Sequence, residues 1–241
     1  MDYVEHIDAV EQASKAMVAA LRAGPLDVGV PSCPDWTVAE LAQHAGEFSA
    51  FWTHVLCEGN GRPKTPFPDR PSGPAAADWY EEAAGHLLAE LRATSPDTAV
   101  WTWVGDDQSA RFVARRAAHE LSVHRFDAQL ARGAPEPIDG GVAADGIEEI
   151  FVMIAAAPER AGRGEGETLH LHGTDRGDEW VLMLGVEGLT VGRSHAKADL
   201  ALRGAVSDLE LVLYHRPPVG PVEQFGDDGV LDAWYRVFTF G

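Results

Sequence analysis

The spacing of apolar residues changes once along this chain, and that change limits the fold more than any other feature. Up to about residue 132, apolar side chains recur at helical spacing; beyond residue 140 they alternate over short runs. Long amphipathic helices followed by short alternating strands predict a helical layer and a separate sheet-bearing layer, not interleaved strand–helix–strand units.

Four helices are expected in the first part. Residues 1–23 place Val4, Ile7, Val10, Met17 and Leu21 near one side, and Gly24 with Pro25 ends the run. "LDVGVPSCPDW" reads as a loop with two prolines. Asp35 there is expected to bond backbone groups near the start of the next helix, with Trp36 covering its end. Thr37 caps that second helix, and Glu40 three residues on completes a capping-box pattern. Leu41, Phe48, Trp52 and Val55 then form one apolar stripe. After the Gly- and Pro-rich "CEGNGRPKTPFPDRPSGP", a third helix fits about 75–94, with Trp79, Ala83, Leu87 and Leu91 on one face. The fourth runs from about Ser109 to Arg132 and stops at Gly133. Four such helices with one long crossover match a four-helix bundle over residues 1–135.

The second part, residues 140–241, reads as a small α+β domain with a mostly antiparallel sheet. Residues 142–157 look helical; "ETLHLHG", "EWVLMLGV", "GLTVGR" and "ADLALRG" are strands; short helices follow near 206–214 and 228–238. The domain boundary falls near 134–141. The expected fold class is therefore α plus α/β, in two domains.

Charge narrows the partners. The chain carries 38 acidic and 19 basic residues, a formal charge of −19, which repels nucleic-acid phosphates and anionic lipid heads. Neither nucleic acid nor membrane is expected as a partner. No apolar run approaches the roughly 18 residues of a membrane span, and "MDYVEHIDAVEQ" lacks the order of a signal peptide. A cytoplasmic location is the expectation. Cys33 and Cys57 form no paired motif and read as free thiols, buried or half-buried.

"RRAAHELSVHRFDAQLA" (115–131) puts a glutamate and two histidines within one helix. At roughly 100° per residue, His119 and His124 lie roughly 140° apart and do not readily share a ligand, whereas Glu120 and His124 lie roughly 40° apart and do. Val113, Ala117, Glu120, His124 and Ala128 run along one stripe, so the pair points into the bundle, where an unpaired carboxylate is costly. On the second helix, His44, Phe48, Phe51 and Val55 share a face, so His44 also points inward. Two imidazoles and one carboxylate on two helices form the donor set of a metal with open positions; zinc, iron or nickel suit it. A buried network without metal, in which Glu120 pairs with Arg116 or His124, fits the same spacing.

At these residues the chain resembles the mycothiol-dependent maleylpyruvate isomerase family of the DinB-like superfamily. The resemblance rests on "VPSCPDWTVAELAQHAGEFSAFW" and "RRAAHELSVHRFDAQLA", with the motif core P-x-x-P-D-W-T-V-x-E-L-x-x-H followed by H-E-x-x-x-H-x-x-D. It covers residues 1–135 strongly. The remainder is similar, by weaker patterning, to that family's sterol-carrier-like C-terminal domain, which is expected to close over or support the site. The resemblance implies a DinB-like bundle with one divalent metal per chain, usually zinc, on His44, Glu120 and His124. It implies that the metal keeps the sulfur of mycothiol as thiolate, and that this thiolate attacks a small electrophilic substrate. Addition, rotation and elimination give cis–trans isomerisation; other members of the superfamily transfer the thiol. Two rivals are a metal-dependent hydrolase, which lacks an obvious general base if Glu120 is a ligand, and a non-enzymatic metal-stabilised binding module.

The other polar candidates carry weaker expectations. Arg111, Arg115, Arg116, Arg203 and Arg216 could face an anionic substrate, but each is read as a surface charge. "HR" at 215–216 stands where the resembled family often has Gly-Arg. His54, His86 and His119 are read as solvent-facing, and His170 and His172 as the polar face of a strand. Asp127, three beyond His124, could orient it.

Overall fold

The structure, a computed structural model, describes residues 1–59, 61, 71–156 and 163–238. The chain divides into two compact units, Met1–Glu136 and Pro137–Gly241. No described helix is long and apolar enough to cross a membrane.

The first unit contains helices α1 (Tyr3–Arg22), α2 (Val38–Glu58), α3 (Ala75–Ala93) and α4 (Ala110–Ala131). Two start on complete capping boxes, Asp2 with Glu5 for α1 and Thr37 with Glu40 for α2, each satisfying two otherwise orphaned backbone donors. Ser109 caps α4 through a hydrogen bond from the Phe112 amide. Helix α1 packs on α4 and α2 on α3, while α1–α3 and α2–α4 contacts close the bundle. Met17, Leu21, Leu41, Trp52, Tyr80, Leu87, Leu91, Leu121 and Phe126 are essentially removed from solvent. Each such aliphatic side chain contributes roughly 1.5–3 kcal/mol relative to exposure. The end of α1 is fixed from a distance. Arg132 donates to the carbonyls of Ala20 and Pro25 at 2.8 Å, and to those of Leu21 and Gly24 at 3.2 Å, placing a cation on the helix's C-terminal carbonyls.

The loop expected between α1 and α2 is instead a small antiparallel hairpin of β1 (Gly29–Val30) and β2 (Cys33–Thr37). It is anchored to the start of α2 by hydrogen bonds from the Val38 amide to the Val28 carbonyl (2.9 Å) and from Ala39 to Leu26 (2.8 Å). Strands of two and five residues carry no usable alternation, and Pro34 is tolerated because a two-stranded ribbon has only edges. The expected Thr37–Glu40 capping box starts α2, and Asp35 is exposed. Most of the Gly- and Pro-rich stretch after α2 lies outside the described residues.

The second unit holds α5 (Gly140–Ala156), β3 (Glu167–Gly173), β4 (Glu179–Gly185), β5 (Gly188–Gly192), β6 (Leu200–Gly204), α6 (Val206–Leu213), β7 (Glu223–Gly226) and α7 (Gly229–Val237). The sheet runs β5-β4-β3-β6-β7, antiparallel except for the parallel β3–β6 pair. Leu169, Leu171, Trp180, Leu182, Leu184, Leu200 and Leu202 alternate onto one buried face, which is the reason these strands were readable. Helices α6 and α7 pack on β3, and α5 reaches β5 and α6. The Trp180 indole N–H donates to Glu148 on α5 at 2.5 Å. Strand β7 was not anticipated: all four of its residues are exposed, so no apolar alternation marks it.

Candidate metal centre

The bundle brings His44 of α2 together with Glu120 and His124 of α4. One ligand atom from each lies within 4.8 Å of the others. His44 Nε2 is 3.0 Å from Glu120 Oε1, and His124 Nε2 is 3.3 Å from the same oxygen. The imidazole rings of His44 and His124 stand nearly perpendicular with centroids 4.9 Å apart. The four-residue spacing of Glu120 and His124 stacks them on successive turns, and the α2–α4 contact supplies the third group.

His44 reaches the site by a different phase from the expected one. The buried face of α2 is Val38, Leu41, Ala42, Ala45, Ser49, Trp52 and Val55, while Phe48 and Phe51 are half-buried. The His44 side chain is 37% exposed, at the edge of that face, and Glu120 is 19% exposed. The site therefore lies at the rim of the bundle and not at its centre.

Neighbours fix each group. Asp127, with no exposed surface, accepts from His124 Nδ1 at 2.9 Å and from the Ser32 hydroxyl at 2.6 Å. Its second oxygen also lies 3.8 Å from the Cys33 sulfur. Trp36 packs on the His44 ring with centroids 4.8 Å apart and approaches His124 at 6.1 Å. Arg116, one turn before Glu120, donates to its Oε2. The hairpin thus delivers Ser32, Cys33 and Trp36 against the two helices. Asp127 takes the orienting place that its spacing suggested. Ser32, Cys33 and Trp36 could not be placed without knowing that the segment doubles back on itself.

The electrostatics follow from burial against these partners. Burial pushes the Glu120 carboxyl upward, but Arg116 and the bonds to His124 and His44 outweigh it and hold the group well below the carboxylate range. Burial depresses the His124 imidazole, yet Asp127 and Glu120 together raise it to about 9.

Several surface readings are corrected. Arg116 is 5% exposed and ion-paired with Glu120, so it is part of the site and not a surface charge. Arg216 is likewise buried and donates to the Tyr214 carbonyl at 2.7 Å. Arg111 and Arg203 are exposed ion pairs with Asp97 and Glu223, and Arg115 is half-buried. His119 is fully buried against His6, ring centroids 6.0 Å apart, because α4 is enclosed on nearly every side. His54 is half-buried beside Glu58, and His86 is exposed. Cys33 is half-buried, whereas Cys57 is exposed. His170 belongs to the outward face of its strand yet is only 4% exposed.

The family model described as "Mycothiol maleylpyruvate isomerase N-terminal domain" matches residues 7–129, more than half of the chain. A crystal structure of the mycothiol-dependent maleylpyruvate isomerase is similar, at 14% identity, a TM-score of 0.67 and 93% coverage of each chain. A histidine-to-alanine mutant of that isomerase gives 14% identity, a TM-score of 0.63 and 88% coverage of each chain. These likenesses support the same arrangement of a helical unit followed by a sheet-containing one. No curated protein sequence matches the chain. The match over the bundle that carries His44, Glu120 and His124 shows that this chain belongs to the mycothiol maleylpyruvate isomerase N-terminal domain family.

Proposed function

We propose that this protein is a divalent-metal enzyme that uses mycothiol on a small electrophilic substrate, with isomerisation of the maleylpyruvate type as the leading reaction and S-transfer as its variant. The observation that carries the reading is the convergence of His44, Glu120 and His124 at the bundle rim in a chain of this family. Two imidazoles and a carboxylate suit zinc and provide three protein ligands, which leaves a place for an exogenous one. A divalent ion held there would keep a bound thiol as thiolate, the nucleophilic form.

The chain's own residues prepare that site. Asp127 accepts a hydrogen bond from His124 Nδ1, which leaves Nε2 facing Glu120 and the shared centre as the atom that would bind a metal once its proton is displaced. Ser32 holds Asp127 in this pose. Arg116 keeps Glu120 ionised and therefore able to act as a ligand. Trp36 walls one side with an aromatic face against which an organic thiol can lie. Asp127 is already committed to His124 and Ser32, so no second carboxylate in this cluster serves as general base, which disfavours the hydrolase reading.

Metal analysis followed by thiol titration tests the proposal. His124→Ala should lose one equivalent of bound metal and His119→Ala none, with circular dichroism confirming the fold of both. With cobalt bound, mycothiol should produce a sulfur-to-metal charge-transfer band that His44→Ala abolishes and Cys57→Ala preserves. Absence of the band at saturating mycothiol would overturn the thiol-dependent reading and place the hydrolase above it. A band without turnover of maleylpyruvate would discard that substrate and retain the chemistry.

A further inference from the structure

The second unit contains another convergence of metal-ligating side chains. Strand alternation puts His170 and His172 on the face of β3 opposite Leu169 and Leu171, and the β3–β4 register sets Glu179 directly across from His172. The chain leaving β5 then brings His195 over the same spot. His172 Nδ1 is 2.8 Å and His195 Nδ1 3.2 Å from Glu179 Oε1, and His170 Nε2 is 3.5 Å from Glu179 Oε2. One ligand atom from each of the four residues lies within 4.8 Å of the others.

The arrangement has a specific oddity. His170 is 4% exposed, yet among the described residues its buried Nε2 makes no well-formed hydrogen bond, only the 3.5 Å approach to Glu179. A buried polar nitrogen without a good hydrogen bond is costly. Three imidazoles around one carboxylate also exceed what an ion pair needs, since protonating all three would make them repel one another. A shared cation removes both difficulties by taking a lone pair from each ring.

We infer that His170, His172, Glu179 and His195 form a second, independent site for one divalent transition metal of the zinc class. Imidazole ligands select such an ion over calcium or magnesium, which take oxygen. With bonds of about 2.05 Å, tetrahedral ligands stand about 3.3 Å apart; the His172 and His195 separations from Glu179 Oε1, 2.8 and 3.2 Å, lie near that edge. Four protein ligands fill the tetrahedron, so the site is of the closed, structural kind. It staples the segment after β5 onto β3 and β4.

Zinc binding to the full chain tests this site separately from the one in the bundle. Metal-free protein dialysed against zinc should bind two equivalents, and His195→Ala should bind one under the same conditions, because the second site is left with three protein ligands. His195 is 78% exposed at its side chain, so this variant should fold normally. The double variant His44→Ala/His124→Ala should retain one equivalent and gain thermal stability on adding zinc, and His170→Asn in that background should abolish both effects. With cobalt, the retained site should show the intense visible bands of four-coordinate geometry. A single equivalent in the parent protein that His195→Ala leaves intact, or unchanged binding in both His195→Ala and His170→Asn, would overturn the inference. Loss of the thiol-induced band with this zinc equivalent intact would count against the bundle site alone.

Discussion

Removing the carboxylate of Asp127 should weaken metal binding at the bundle site without touching a ligand. Asp127 has no exposed surface and holds His124 through a 2.9 Å contact, while Ser32 holds Asp127 at 2.6 Å. The carboxylate holds the ring of His124 in place through Nδ1, and with a metal on Nε2 it would fix the tautomer and raise the basicity of the ligand. Loss of such a partner costs about 10- to 100-fold in metal affinity, roughly 1.4–2.7 kcal/mol. The two ends of that range belong to different substitutions. Asp127→Asn keeps the shape and can turn its amide oxygen toward Nδ1, so it loses mainly charge and should fall near tenfold. Asp127→Ala leaves both Nδ1 and the Ser32 hydroxyl without this partner and should fall near 100-fold. Ser32→Ala removes only the brace and should cost less than either. Competition against a chromophoric zinc chelator measures all three, in a His195→Ala background so that only the bundle site is counted. Equal affinity for the parent, Asp127→Asn and Asp127→Ala would refute the claim that Asp127 positions His124 for a metal.

Four further outcomes test the fold around the sites. Thr37→Ala should destabilise the protein by about 1 kcal/mol through loss of the α2 cap, read by denaturant titration. The Glu40 carboxyl is held below its ordinary 4.5 by the Thr37 amide and hydroxyl, so its contribution is complete above that value and is lost as pH falls through the lower folded one. Glu40→Gln should therefore flatten the acid limb of melting temperature against pH, and an unchanged limb would reject the capping-box assignment. A Cβ at Gly46 would meet two atoms of the Trp79 ring at 2.6 Å. Gly46→Ala should thus cost about 1–2 kcal/mol even after its helix-propensity gain, and a raised melting temperature would contradict that contact. His215 has φ 60° and closes α6 with a 2.7 Å bond from the Arg216 amide to the Leu211 carbonyl, a C-terminal motif that favours glycine. His215→Gly should exceed His215→Ala in stability by about 1 kcal/mol, because both lose the stacking on Tyr235 but only Ala keeps the left-handed strain; the opposite order would refute it.

How far the site was legible depended on whether a residue's role was local. Glu120 and His124 share one helix, so their four-residue spacing was enough to pair them. The α2 capping box was local in the same sense. His44 was harder, since its wheel position leaned on Phe48 and Phe51, which are only half-buried. It still converged because the site lies at the rim, where the edge of the buried face suffices. Helix α4 defeated phase arguments altogether: Arg116 to His119 and Leu121 to Ala128 are all buried, so a wheel cannot say that His119 is inside. Ser32 and Trp36 depended on a hairpin whose strands are too short to leave a pattern. The imidazole cluster of the second unit was readable only as far as its strand face. His170 and His172 alternate correctly, but Glu179 and His195 join them through cross-strand register and a turn, which no spacing within β3 encodes.

The charges around the bundle site bear on which exogenous ligand it favours. Glu120 and Asp127 contribute two negative charges and Arg116 one positive, all within a buried or nearly buried cluster. A divalent cation between neutral imidazoles adds two positive charges and leaves one uncompensated. In surroundings of low dielectric an uncompensated charge is costly, so an anionic fourth ligand is favoured over a neutral one. Thiolate and hydroxide both supply that charge, and the choice between them rests on what surrounds the open position. The aromatic face of Trp36 beside His44 offers an organic thiol a contact that hydroxide cannot use. Asp127, which might have served hydroxide as a proton acceptor, is occupied on both oxygens by His124 and Ser32. Arg116 would therefore have a consequence beyond neutralising a buried glutamate: with a divalent metal bound, cancelling one of the two carboxylates would leave the charge that draws a thiol in as its anion.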